Sequence, residues 1–160
     1  MNQQEKSSVL LVCMGNICRS PTAEGVLRDK LEAAGLMDRV HLDSAGTHDY
    51  HVGKPPDRRA QEAARKRGYD LSALRARQVG MRDFSEFDLI LAMDQDNFES
   101  LVRACPQELR HKVRLFLSFS SRFTGQEVPD PYYGGSQGFD HVLDMVEDAS
   151  EGLIAALRQA

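Results

Sequence analysis

Val9-Leu10-Leu11-Val12-Cys13 runs directly into Met14-Gly15-Asn16-Ile17-Cys18-Arg19-Ser20-Pro21. The first five residues are uniformly apolar, the pattern of a short strand buried on both faces of a parallel sheet. The run stops at Gly15 and Asn16, residues that tolerate positive φ. Ser20 and Pro21 then read as a helix start, the serine as cap and the proline at the first helical position. Val26, Leu27, Leu31 and Ala34 make one apolar face, and Gly35 closes that helix.

The same alternation continues along the chain. Val40 to Ala45 reads as a second strand, and Pro55-Pro56 leads into a helix with Ala60, Ala63 and Ala64 inward and Gly68 at its end. The basic outer face of that helix, Arg58 to Arg67, reads as solvated. Phe87 to Met93 is a third strand, Asp94 caps a helix through about Ala104, and Val113 to Phe116 is a fourth strand. Phe139, Val142, Leu143, Val146, Ala149, Leu153 and Leu157 recur at helical spacing, so a long C-terminal helix should cover one face of the sheet. Strands alternating with helices imply right-handed crossovers. The expected fold is α/β, a three-layer sandwich with a four-stranded parallel sheet flanked by helices and a phosphate-binding loop after strand 1. Ligands bind beyond the carboxyl ends of such strands, where Cys13 to Ser20 falls. The longest irregular segments are Gly46 to Pro56 and Ser118 to Gly138.

A length of 160 residues suits one domain, 1–160, with 1–7 as a disordered polar N-terminus. No run approaches the roughly 18 apolar residues of a membrane span, and the start lacks a signal peptide, so a cytoplasmic protein without membrane insertion is expected. Twenty basic and twenty-four acidic residues give a formal charge of -4, which argues against a nucleic-acid binder. Three cysteines are a poor disulfide framework and a poor structural zinc set. His41, His48, His51, His111 and His141 show no metal-ligand spacing and read as surface or packing residues; no metal or cofactor is expected.

The loop itself carries the chemistry. Wrapped around a tetrahedral anion, the backbone N–H groups from Met14 to Arg19 (Met14, Gly15, Asn16, Ile17, Cys18, Arg19) can point inward, helped by the helix N-terminus. Arg19 offers a planar fork for two phosphoryl oxygens. Cys13 lies in the same positive field, which lowers a thiol's pKa toward the thiolate, and the Ser20 hydroxyl is placed to hydrogen-bond the sulfur. Transfer of a phosphoryl group to sulfur also needs a proton donor for the leaving oxygen. Asp130, in the stiff loop Val128-Pro129-Asp130-Pro131-Tyr132-Tyr133-Gly134-Gly135, is the best candidate, with Tyr132 and Tyr133 as apolar walls.

Cys13 to Pro21, together with Asp130-Pro131-Tyr132-Tyr133, resembles the low molecular weight protein tyrosine phosphatases, in a bacterial version. Asp43-Ser44-Ala45-Gly46-Thr47, Ala76-Arg77-Gln78 and Met93-Asp94 extend the resemblance over the chain. It implies a metal-free reaction through a phosphocysteine: Cys13 as nucleophile, Arg19 binding the phosphoryl group, and Asp130 as acid and then base. It also implies Asn16 and Ser44 as polar supports of the loop, Ser20 as the thiolate's partner, Cys18 as a redox partner for Cys13, and Tyr50 as an aromatic gate. Some members carry a histidine where this chain has Leu74, so Asn16 must find other support. The implied substrate is a phosphotyrosine protein, for example a bacterial tyrosine kinase; the sequence does not fix the oligomeric state, and a monomer is the expectation.

Three rival readings share the loop. An arsenate reductase needs a relay of thiols, and only Cys105 lies outside the loop. A protein-arginine phosphatase carries threonine where Ile17 stands. A non-catalytic phosphotyrosine-binding module would be expected to lose Cys13 or Asp130.

Overall fold

In the computed structural model of the chain, residues 6–132 and 134–159 are described. Strand β1 (Ser7–Cys13) is followed by helix α1 (Arg19–Ala33) and strand β2 (Val40–Gly46). Next come α2 (Arg58–Lys66), α3 (Met81–Glu86), β3 (Leu89–Ala92), α4 (Gln95–Ala104), β4 (Val113–Leu115) and α5 (Ser136–Gln159). The sheet has the order β2-β1-β3-β4, and each pairing is parallel. The expected α/β sandwich with a four-stranded parallel sheet is therefore the observed one.

The continuous apolar run of β1 follows from its inner position. Val9, Leu11 and Cys13 face the layer of α1 and α5, against Leu27, Leu31, Val146 and Leu153. Leu10 and Val12 face the opposite layer, against Phe84 of α3, Phe87 and Leu101 of α4. Alternate residues of a strand point to opposite faces, so burial on both faces accounts for the unbroken apolar run from Val9 to Cys13. Parallel strands also align their carboxyl ends, which gathers Cys13, Gly46 and Met93 at one edge.

Several boundaries differ from the sequence reading, each for a local reason. Ser7 is not part of a disordered N-terminus: it opens β1, and Ser8 is buried with its N–H donating to the Asp88 carboxylate at 2.9 Å while the Asp88 N–H donates to Ser8 Oγ at 2.9 Å. Residues 1–5 lie outside the described residues. Helix α1 begins at Arg19, with Cys18 rather than Ser20 at the cap position. Pro21 still falls in the first turn, where a missing N–H breaks no intrahelical bond. Strand β3 is shorter than Phe87 to Met93 because the Phe87 N–H closes α3 on Asp83 O. Strand β4 ends at Leu115, and Phe116 to Phe119 form a 3-10 turn. Helix α3 has no counterpart in the sequence reading; its six residues offer one buried aromatic, Phe84, too little for a periodic signal.

The basic face of α2 is only partly solvated. Arg67, just past its end, reaches across to α5, to Asp144 at 3.0 Å and Glu147 at 2.8 Å, and Tyr69 donates to Glu147 at 2.6 Å. Helix α5 also touches the 3-10 turn so closely that a Cβ at Gly152 would stand 1.8 Å from Phe119 O. Gly152→Ala should therefore force helix and turn apart and lower stability by about 2–3 kcal/mol in urea unfolding; a change under about 0.5 kcal/mol would mean that the contact yields freely.

Candidate active site

Cys13 ends β1 in register with Gly46 of β2 and is 2% exposed. A Cβ on Gly46 would stand 2.7 Å from Met14 O, so glycine is what lets β2 run this close to the loop. Thr47 and His48 extend the contact, their N–H groups donating to Cys13 O at 2.9 Å and Met14 O at 3.0 Å. The chain then reverses through Asn16, the one non-glycine residue of positive φ among the described residues, at +58°. That reversal brings the Asn16 N–H to 3.3 Å from Cys13 Sγ. The N–H groups of Gly15, Ile17 and Cys18 have no acceptor among the described residues, and they lie beside the N-terminus of α1. The combination is an anion cradle.

Asn16 is held from three sides. Its Nδ2 donates to Ser20 Oγ at 2.8 Å and to Ser44 Oγ at 3.0 Å, and its Oδ1 accepts from the Arg77 backbone N–H at 3.0 Å. Ser20 lies 3.0 Å from Cys13 Sγ. Its oxygen accepts from Asn16, and its proton can be given to the sulfur or to Ala45 O at 3.5 Å. This duty explains why Ser20 does not cap α1. Arg77 supplies the support that Leu74 cannot: Leu74 packs against the core, while the Arg77 guanidinium is clamped by Asp43 at 2.9 Å and by both oxygens of Asp83 at 3.0 Å.

Behind Ser44 lies Glu24, which the sequence reading missed. It is 4% exposed, accepts from Ser44 Oγ at 2.7 Å and from Arg28 at 2.9 Å. Burial pushes its carboxyl above the usual range, and the bonds from Ser44 and Arg28 pull it back in part. A Glu four residues before an Arg reads as an exposed helix pair; only the tertiary fold turns it inward.

Arg19 is 3% exposed and aimed across the cradle. Its NH1 donates to Asp94 Oδ2 at 2.6 Å and to Val128 O at 3.1 Å, and its NH2 lies 3.8 Å from Asp130 Oδ2. Burial opposes its charge, and Cys13 and Asp94 more than offset that, so the guanidinium stays ionised. Asp94 thus does two things where one was read: Oδ1 caps α4 through the Asn97 N–H at 2.7 Å, and Oδ2 holds Arg19.

A cleft of about 320 Å³ opens above this floor. Cys13, Met14, Gly15, Ile17, Cys18 and Arg19 line its base, and Tyr50, His51, Asp130 and Tyr132 its mouth. Asn16, Ser20 and Ser44 sit buried behind the loop. Tyr133 lies outside the described residues. His51, read as a surface or packing residue, is in the cleft wall, and His48 stacks on Tyr50 at 4.9 Å with the rings 6° apart. Asp130 accepts from the Tyr132 N–H at 3.0 Å, a turn that fixes carboxylate and ring together. Burial raises the Cys18 thiol well above its usual range, reinforced by Asp57, Cys13 and Asp130, so it is a neutral thiol. Cys105 is buried at the end of α4 in the opposite layer, away from the cleft lining.

Known proteins resemble this chain in sequence and shape. Residues 8–160 match the family described as low molecular weight phosphotyrosine protein phosphatase. The Synechocystis sp. protein slr0328 is 49% identical over 150 residues, covering 93% of this chain and 95% of its own length. A low molecular weight protein-tyrosine-phosphatase of Streptomyces coelicolor is 46% identical, covering 94% of this chain and 93% of itself. The crystal structure of a protein tyrosine phosphatase from Entamoeba histolytica superposes with a TM-score of 0.93 at 42% identity, over 96% of this chain and 98% of that one. The match to the family spans nearly the whole sequence and includes both the cradle and the acidic loop: this chain belongs to the low molecular weight phosphotyrosine protein phosphatase family.

Proposed function

We propose that the protein hydrolyses phosphotyrosine in proteins, and aryl phosphates generally, through a phosphocysteine at Cys13. The observation that carries this reading is the placement of Cys13 Sγ, 3.0 Å from Ser20 Oγ and 3.3 Å from the Asn16 N–H, in a cleft that Arg19 and Asp130 share. The phosphoryl group sits in the backbone cradle with Arg19 on its oxygens. The Cys13 thiolate attacks phosphorus, an S–P bond forms, the P–O bond to the ring breaks, and Asp130 gives its proton to the departing oxygen. Water then attacks phosphorus, the Asp130 carboxylate takes its proton, the S–P bond breaks, and phosphate leaves with the thiolate restored. Arg19, already held by Asp94 and Val128 O, needs no reorganisation to meet the charge that develops on the equatorial oxygens.

Substrate choice follows from the cleft wall. Tyr50 and Tyr132 at the mouth suit a flat aryl group, long enough to bring phosphorus down to Cys13. Ile17 in the cleft lining disfavours the arginine-phosphatase reading, Cys105 in the opposite layer supplies no relay for an arsenate reductase, and retention of both Cys13 and Asp130 disfavours a binding module. No helix among the described residues is long and apolar enough to cross a membrane. A cytoplasmic phosphotyrosine protein, such as a bacterial tyrosine kinase, is the substrate this reading expects.

Cys18 lines the same cleft as Cys13 and is a free thiol, which supports a protective redox role. Peroxide would oxidise Cys13 to a sulfenic acid, and condensation with the Cys18 thiol would form the disulfide and release water. A thiol reductant then restores both groups.

Cys13→Ser should lower turnover of phosphotyrosine peptides by more than about a thousandfold with the fold retained by circular dichroism; retained turnover would remove the nucleophile. Asp130→Ala should cost about a hundredfold or more in kcat/KM for phosphotyrosine, and far less for p-nitrophenyl phosphate, whose leaving group needs no proton. After peroxide treatment, dithiothreitol should restore activity to the wild type and not to Cys18→Ser. Equal recovery would dispose of the redox role.

A further inference from the structure

We propose that Arg59 is a positioning residue for this reaction: its guanidinium latches the Asp130-bearing loop, through Tyr132, to the loop that cradles phosphate. Arg59 stands at the start of α2, on the face that reads in sequence as solvated, yet its guanidinium lies over two aromatic rings, Tyr132 at 5.2 Å and Phe139 at 4.9 Å. Phe139 is buried in α5, just beyond the acidic loop. The guanidinium does not swing freely, since Nε and NH2 each donate to the Asp57 carboxylate at 3.1 Å, a planar fork on a planar acceptor. Asp57 is itself tied to the cradle: its backbone N–H donates to Ile17 O at 2.8 Å, and its side chain caps α2 through the Arg59 N–H at 2.8 Å.

A continuous path of contacts therefore leads from Ile17 through Asp57 and Arg59 to the Tyr132 ring, and the Tyr132 N–H ends it on Asp130 Oδ1 at 3.0 Å. At its far end the carboxylate is 3.8 Å from Arg19, which is held from the opposite side by Asp94. Arg59 is not among the residues that line the cleft. Its effect is on where Asp130 stands, and misplacement of a proton donor by a fraction of a bond length weakens the acid step and leaves the nucleophile untouched. A solvated cation would need neither the fork on Asp57 nor the two rings.

The inference rests on Asp130 as the acid, and the test separates the two. In the full chain, Arg59→Met should lower kcat/KM for phosphotyrosine about fivefold, the scale of a cation–π contact at an exposed site, and that for p-nitrophenyl phosphate by no more than about twofold. The rate of Cys13 alkylation by iodoacetate should stay at the wild-type value. Arg59→Lys, which keeps a charge over the rings and loses the fork, should fall between wild type and Arg59→Met. In an Asp130→Ala background, Arg59→Met should add nothing. Equal losses on both substrates, slowed alkylation, an additive loss in the Asp130→Ala background, or no loss at all would each overturn the latch. If Asp130→Ala alone fails to discriminate between the substrates, the acid reading falls and the latch with it; if it discriminates and Arg59→Met does not, the latch alone falls.

Discussion

Asn16 must stand at φ +58° for the loop to close, and an L-residue pays roughly 1–2 kcal/mol for that conformation. Glycine would remove the strain and would also remove the amide whose three bonds hold Ser20, Ser44 and Arg77 in place. Asparagine resolves the conflict because its short side chain both tolerates the left-handed region and offers donor and acceptor together. Closure of the cradle around the cysteine is therefore a side-chain achievement as much as a backbone one.

Direction propagates through these bonds. Glu24 takes protons only, from Arg28 and from Ser44, so the Ser44 oxygen is left to accept from Asn16. The Asn16 amide must then turn its NH2 toward the serines and its oxygen toward Arg77, and Ser20 accepts on one side and can donate on the other. A buried carboxylate several bonds away thus sets which way the Asn16 amide faces beside the sulfur. Such a network is costly when half satisfied, because each orphaned group keeps its full desolvation penalty. The Arg77 clamp on Asp43 and Asp83 serves the same end by fixing the one backbone donor that closes the set.

The parts legible in the sequence were those carried by local pattern. The apolar run of β1, the α5 periodicity, the Asp94 cap and the spacing of Cys13, Arg19 and Asp130 all survive in the structure because each is decided within a few residues or by a long regular repeat. What escaped is set by tertiary placement. Glu24 and Arg28 look like a solvent-facing helix pair, His51 like a surface or packing residue, and Arg59 like one of several surface cations, until β2, the acidic loop and α5 are placed beside them. The start of α1 escaped for a different reason: Ser20 is a good cap by composition, and its hydroxyl is claimed by Asn16 and lies beside Cys13.

Asp94 divides its two oxygens between a helix and an arginine, Oδ1 to the Asn97 N–H and Oδ2 to Arg19. Local folding of α4 and the aim of the phosphate-binding guanidinium are in this way a single variable. The carboxylate that starts α4 is thus the one that presents the Arg19 guanidinium to the cleft, so the aim of that guanidinium depends on the first turn of a helix in the other layer of the sheet. Drift at this position has no neutral route: a serine or asparagine could keep the helix and would surrender the arginine, and a longer glutamate would reverse that loss at the expense of the cap.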